Sequence, residues 1–264
     1  MADNHFSFSQ LRTFLNCPKQ YEFSYIDKIK LPPRGAMIRG KSIHTQREQS
    51  MVNKMTEGVP LPLEQVQQIA AEEVEKGFSG EVALEEGETK EQVKGETKDA
   101  AIRLTTLDRA THQERIVPVS VEDRTLIEIP GLSRSVLTIM DLVDDQRFVR
   151  DLKTSSRSPS KEGIERNDQL NVYAIAYEAK HGEPPAGTAL DYLIDTKTPK
   201  TETLEAKPDA IDKEITIARM GKAIEAIETG IFPPAPSDWW GCSAKWCGYW
   251  DRCPYGGLGR SKHG

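Results

Sequence analysis

The chain has 264 residues and a formal net charge of −6, with 37% hydrophobic and 29% charged residues. That length suits one large domain or a domain with an insertion, and the acidic balance excludes indiscriminate coating of nucleic acid while leaving room for a local basic groove. No apolar run is long enough to span a bilayer and the first residues lack a secretory pattern, so a cytoplasmic protein is expected, its four cysteines serving as free thiols or metal ligands rather than disulfides.

The stretch HFSFSQLRTFLNCPKQYEFSYIDKIKLPP predicts a short helix capped by Ser9, a break at Asn16-Cys17-Pro18, and a second helix with Pro18 in its first turn. Leu11, Phe14, Leu15, Tyr21, Phe23 and Tyr25 give it more apolar weight than an exposed arm would carry. After Pro32-Pro33 a helix resumes near Ala36, and on it Gly40 and His44 stand four residues apart, on one face. A glycine inside a helix costs about 1 kcal/mol relative to alanine and marks a place where another chain or a ligand comes close. The imidazole of His44, when neutral, can complete a metal site.

Residues 64–76 predict a helix through Val66, Ile69, Ala70 and Val74. The acidic run EVALEEGETKEQVKGETKDA has few core candidates and reads as a mobile loop, followed by a helix over 98–113. Together these make 60–115 a helical insertion. Its duplicated GETK is too short to indicate a repeat architecture.

Two short β-like segments, 116–122 and 126–130, lead into VLTIMDLVDDQRFVRDLK at 136–153, a β-hairpin with a polar centre, and the four form a meander. Two registers are open. A loop centred on Gln146 sets Asp141 opposite Asp151, whereas a tight turn at Asp145-Gln146 pairs Asp141 with Arg150 and sends the two aspartates to opposite faces. In the first register Asp151 and Lys153 share a face and Leu152 points away, so two carboxylates and an ammonium converge. Paired carboxylates hold a hard divalent cation, and a neighbouring lysine can orient or help deprotonate an attacking water. Glu122 is a further candidate acid beside them.

A polar loop and a helix over 161–180 follow, with Gln169 and Tyr173 one turn apart and Leu170, Ala174 and Tyr177 as the packing stripe. Next come a strand at 189–196, a charged hairpin or loop at 197–207, and an amphipathic helix at 210–228. The texture then changes to IFPPAPSDWWGCSAKWCGYWDRCPYGG, which holds Cys242, Cys247 and Cys253. With Cys17 these suggest a four-thiolate site for zinc or an iron–sulfur cluster, tying the two ends of the chain together.

The ordered set G-x-x-x-H at 40–44, Asp141, D-x-K at 151–153 and Q-x-x-x-Y at 169–173 resembles the RecB-like branch of the PD-(D/E)XK nucleases. One cysteine before these motifs and three after them resemble its iron–sulfur members: the AddB nuclease domain, the CRISPR-associated exonucleases and related phage exonucleases. The likeness covers most of the chain outside roughly 60–115. It departs from the pattern in one place, since four residues separate Cys242 from Cys247 where the family usually has two.

The resemblance implies an α/β fold with a restriction-endonuclease-like core, a mixed central sheet flanked by helices, in a single nuclease domain over 1–264. Residues 1–30 and 231–257 would form the cysteine-ligated cap. It also implies that His44, Asp141, Asp151 and the Leu152 carbonyl bind Mg²⁺ or Mn²⁺, that Lys153 positions the nucleophilic water, and that Gln169 and Tyr173 shape the DNA side of the site. Cys17, Cys242, Cys247 and Cys253 would hold a 4Fe–4S cluster, with zinc as the alternative. The activity expected is that of a metal-dependent DNA exonuclease on single-stranded or duplex ends, in a bacterial, archaeal or phage-infected cell. A recombination, helicase or CRISPR-adaptation protein is the expected partner, and the alternative is a DNA-end-binding scaffold that retains the fold. Arg147, Arg150, Arg157, Lys161 and Arg166 are the candidate phosphate contacts.

Overall fold

The computed structural model describes residues 5–236 and 238–260. The chain forms two compact units: one draws on the segment ending at Leu31, on Leu126–Leu137 and on the chain from Glu214 onward, the other on Pro32–Thr125 and Thr138–Lys213.

The first unit opens with β1 (His5–Ser7), which pairs in parallel with residues 135–137, and α1 (Phe8–Asn16). The cap of α1 is Ser7 rather than Ser9. Its hydroxyl accepts the Gln10 N–H at 3.2 Å while the Gln10 side chain accepts the Ser7 N–H at 2.7 Å, so two otherwise orphaned donors are satisfied reciprocally. Cys17 is extended, as the residue before a proline prefers, and breaks α1 from α2 (Pro18–Tyr21). A π-helical turn, Glu22–Ile26, follows. The aromatic residues expected to pack do so: Phe14, Tyr21 and Phe232 meet with ring centroids 5.8–6.3 Å apart, and Phe23 stacks on Tyr249 at 5.2 Å.

In the second unit α3 (Gly35–Glu57) runs for 23 residues and ends at Gly58, whose left-handed backbone closes the helix. It packs with α4 (Leu63–Gly77) and α5 (Lys90–Ala110), and a short α6 (His112–Arg115) follows. Gly77 permits the close approach of α4 to α3, since a Cβ there would lie 2.4 Å from Ile38 Cγ2. The expected loop before residue 98 is instead the first half of α5. Thr89 caps it, and its exposed lysines 94 and 98 pair with Glu75, so this half is held by charge and offers no apolar stripe to read.

The strands of this unit are β2 (Pro118–Ile127) and β3 (Ser135–Asp144), each for most of its length, and β4 (Phe148–Ser155), β5 (Gly187–Ile194) and β6 (Lys200–Ala206), with α7 (Asp168–His181) between β4 and β5; α8 (Ala210–Glu228) follows β6 and from Glu214 onward belongs to the first unit. They hydrogen-bond in the order β3-β4-β5-β6, with β2 on β3. β4 and β5 are parallel, and β3/β4 and β5/β6 antiparallel, which gives the expected mixed sheet with helices against it. The two short segments expected around Glu122 are one strand, β2, which continues although Glu122 takes a left-handed φ of 50° inside it. The charged stretch after β5 is largely a strand, and α7 begins at Asp168, seven residues later than the 161 expected, because Asn167 caps it through the N–H groups of Gln169 and Leu170. Ile38, Ile43, Val74, Phe78, Ala101, Leu104, Leu152 and Leu193 form the core between α3, α4, α5 and the sheet.

Candidate active site

The hairpin register decides the site. Leu142 pairs with Arg150 and Val143 with Val149, a ladder which, extended by one residue, sets Asp141 opposite Asp151. A three-residue loop fixes it: Arg147 is left-handed at φ 63°, and Asp144 Oδ1 accepts the amides of Gln146 at 3.0 Å and Phe148 at 2.8 Å. Leu152 is buried in the core, so its side chain is withdrawn and only its backbone serves the site. Its N–H donates to Asp141 Oδ2 at 3.2 Å.

Two contact groups result. His44 Nδ1 reaches from α3 to 3.3 Å from Asp141 Oδ2. Lys153 Nζ lies 2.5 Å from Asp151 Oδ2, an ion pair that stands where no properly angled hydrogen bond forms among the described residues. Asp151 Oδ1 accepts from Gln169 Nε2 at 2.8 Å and from the Tyr173 hydroxyl at 2.9 Å, and Gln169 Nε2 is 3.0 Å from that hydroxyl. The cap at Asn167 and the left-handed Gly182 fix both ends of α7, so the i, i+4 spacing of Gln169 and Tyr173 aims both at one carboxylate oxygen.

The charges polarise one another. Burial pulls His44 down, but the hydrogen bond and charge of Asp141 outweigh it and leave its pKa above 6.5. Burial raises Asp141, yet His44, the Leu152 amide and Lys153 bring it below its ordinary value. Asp151 moves the other way: burial first and then the Asp141 charge raise it, against Lys153 and His44. Burial and the two aspartates keep the Tyr173 phenol protonated far above 10 and able to donate. Two carboxylates so close hold their protons apart, a pattern characteristic of functional sites.

A cleft beside these residues is lined by His44, Glu48, Glu122, Asp141 and Leu152, with Arg47 and Arg150 at its floor. Glu122 enters it from its strained position, and burial followed by the charges of Asp141 and Glu48 pushes its carboxyl up to about 7. Glu48, one turn beyond His44 on α3, is a cleft residue the sequence reading passed over.

Beneath the cleft lies a network that no motif announced. Asp191 accepts from Arg47 Nη2 at 2.9 Å on one oxygen, and from Arg150 Nη1 at 3.2 Å and Thr203 at 2.9 Å on the other. Arg150 Nε donates to Asp144 at 2.6 Å, Arg47 Nη1 to Asp108 at 3.4 Å, and Gln113 to Asp108 at 2.6 Å. Arg150 is therefore taken up internally rather than facing a phosphate. Arg147, at the opposite end of β4, pairs with Glu183, whereas Arg157, Lys161 and Arg166 are exposed between β4 and α7.

The profile of the PD-(D/E)XK nuclease superfamily matches residues 5–254. The chain belongs to this superfamily. It is a nuclease, and its substrate class is DNA. No match was found among curated proteins. Among solved structures, one described as a "Putative exonuclease" from Eubacterium rectale superposes with a TM-score of 0.56 at 12% identity, covering 89% of this chain and 85% of that one. The crystal structure of SSO0001 covers 94% of this chain and 95% of its own at 15% identity, with a TM-score of 0.38.

Membership of this superfamily implies a Mg²⁺ or Mn²⁺ ion at the cleft. Among the described residues no three His, Cys, Asp or Glu side chains form a ready-made metal cage. Asp141 is turned toward His44 and Asp151 toward the Lys153 ammonium. Two carboxylates with one imidazole still fit a hard divalent cation in kind. In the other unit, Cys17, Cys242, Cys247 and Cys253 line a single apolar cavity with Phe23, Trp239, Tyr249 and Trp250. Burial raises the Cys247 thiol, and the charges of the other three cysteines raise it further. All four are free thiols. Among the described residues no helix is long and apolar enough to cross a membrane.

Proposed function

We propose that this nuclease is a Mg²⁺- or Mn²⁺-dependent exonuclease of the RecB-like iron–sulfur branch, processing DNA ends. The observation that carries the reading is the reach of His44 from α3 to Asp141 on β3, beside the Asp151–Lys153 pair. Members of the same motif order that are remote in sequence thereby meet in one electrostatic neighbourhood.

His44, Asp141, Asp151 and the Leu152 carbonyl would hold the cation. When bound, a divalent ion lowers the pKa of a water ligand and neutralises charge on the phosphoryl oxygens. Lys153 holds its ammonium against Asp151 and carries the charge that orients the attacking water. Gln169 and the protonated Tyr173 fix Asp151 Oδ1, so this carboxylate cannot rotate when the ammonium shifts. Glu122, near neutrality in its pKa, can exchange a proton in the same cleft.

The four cysteines that line one cavity favour a shared ligand there, and the 4Fe–4S cluster is the reading we adopt, with a structural role. End-labelled single-stranded and duplex DNA incubated with pure protein and Mn²⁺ tests the main proposal. Mononucleotides released progressively from an end, abolished by a chelator, are the expected products. Cleavage of closed circular DNA at an equal rate would replace the exonuclease reading by an endonuclease. Binding without any cleavage would leave a DNA-end scaffold.

A further inference from the structure

Arg39 on α3 and Arg103 on α5 converge on one carboxylate, Asp195, just past the C-terminal end of β5. Arg39 Nη1 donates to Asp195 Oδ2 at 3.2 Å, and Arg103 donates to Oδ1 through Nε at 3.2 Å and Nη2 at 2.7 Å. The cluster therefore carries two guanidiniums on one carboxylate, a net positive charge. Arg103 is the accessible member, its side chain 47% exposed, whereas Arg39 is 19% exposed and its Nε is buried without a hydrogen-bond partner among the described residues. With Arg103 Nε and Nη2 on Asp195, its remaining N–H groups are the ones that can meet a phosphate.

Its place in the fold relates it to the site. The Asp195 N–H donates to Ser155 O at 2.7 Å, and Ser155 lies two residues beyond Lys153 on β4. Lys153 pairs with Tyr192, so Asp195 lies three residues further along the parallel strand pair, about 10 Å at ~3.3 Å per residue measured along the strand, and faces α3 and α5, the helix side from which His44 reaches the site. The edge where parallel strands end is where open α/β sheets place their ligands. Next to Arg39 stands Gly40, and a Cβ there would meet only Thr154 Oγ1, at an ordinary 3.7 Å. The protein's own packing does not require this glycine. Its bare helix surface beside Thr154 is left for something from outside the chain.

We infer that Arg39 and Arg103, held ready by Asp195, seat a backbone phosphate of the DNA strand a few nucleotides from the bond at Lys153. At ~3.4 Å of rise per nucleotide the separation corresponds to roughly three nucleotides. Asp195 keeps the two side chains ordered before DNA arrives, so less conformational freedom is lost on binding. The contact reads charge and carries no base preference. This inference rests on the nuclease reading, and it replaces Arg150, which is internally paired, as a phosphate contact of the sequence analysis.

The test is fluorescence anisotropy of a dye-labelled oligonucleotide, single-stranded and annealed, titrated with full-length protein over a series of salt concentrations in chelator. Arg103→Gln and Arg39→Gln should each weaken binding equally on unrelated sequences. Each should also lower the slope of log affinity against log salt by about 0.9 on duplex or about 0.7 on single strands. In cleavage assays KM should rise while kcat is kept. Arg115→Gln, which removes an exposed arginine on α6 beside the β3–β4 loop, is the control and should leave the slope unchanged. If the Arg39 and Arg103 variants keep the wild-type slope, or if Arg115→Gln lowers it as much, the phosphate seat is refuted although the nuclease reading stands. Wild-type protein that neither binds nor cuts DNA would instead refute the functional reading itself.

Discussion

The Tyr173 hydroxyl donates to Asp151 Oδ1 at 2.9 Å, one helical turn along from Gln169, which donates to the same oxygen at 2.8 Å. A buried carboxylate held on one oxygen by two neutral donors and on the other by the Lys153 ammonium is oriented from both sides. A charged-group hydrogen bond contributes about 1.5–3 kcal/mol, so Tyr173→Phe is expected to cut turnover by roughly one to two orders of magnitude while the helix stays folded. Single-turnover cleavage with Mn²⁺, alongside circular dichroism, measures both.

Lys153→Ala and Asp151→Asn are expected to abolish cleavage with the fold retained. Loss of Lys153 leaves Asp151 without its cationic neighbour, and the asparagine removes the charge but keeps the shape. Near-normal Mn²⁺-dependent cleavage by either variant would remove the hairpin from the chemistry.

Affinity for Mn²⁺ should fall as the pH drops through the raised pKa of His44. Asp141 stabilises the protonated imidazole, and a cation can use that nitrogen only after the proton leaves. Calorimetric titration of metal across the pH range should show this slope in wild type and a flatter one in His44→Gln. An unchanged slope in the variant would mean that histidine is not a ligand.

Arg47 joins Asp108 and Asp191, and all three are buried. Removing one partner of a buried pair costs about 3–5 kcal/mol, so Arg47→Met should unfold at markedly lower denaturant concentration. Burial raises both aspartates, but Arg47 chiefly brings each below its ordinary 3.8. The unfolded chain therefore binds these protons more readily than the native one. Their contribution is present above 3.8 and is lost as pH falls from there through the lower folded values. Acid unfolding of wild type should steepen in that window, and Asp108→Asn should flatten it.

Cys253→Ser is expected to lower thermal stability and solubility more than it alters the chemistry of protein that still folds, because the cavity of four cysteines contains no residue of the cleavage site. Anaerobically purified protein should be brown, with about four irons per chain for a four-thiolate cluster. One zinc in a colourless protein would replace the cluster and keep the structural tie.

What the sequence by itself determined are the local features: the period-two strands around Asp141 and Asp151, the i, i+4 pair on α7, the break at Cys17-Pro18, and the order of motifs that identifies the superfamily. The first three depend on neighbours within a turn or a hairpin, where the backbone alone sets which side chains share a face. The acidic half of α5 and the continuity of β2 through Glu122 escaped the reading, since one pairs its lysines with Glu75 of another helix and the other runs through a strained residue that lines a charged cleft. Only the tertiary structure decided the hairpin register, the landing of His44 on Asp141, and the role of Arg150, which was expected at a phosphate and lies instead on Asp144 and Asp191. The physical reason is that a buried charge takes whichever partner packing brings within reach, and Asp191 meets Arg47 and Arg150 because α3 and β4 fold around it, which no spacing along the chain records.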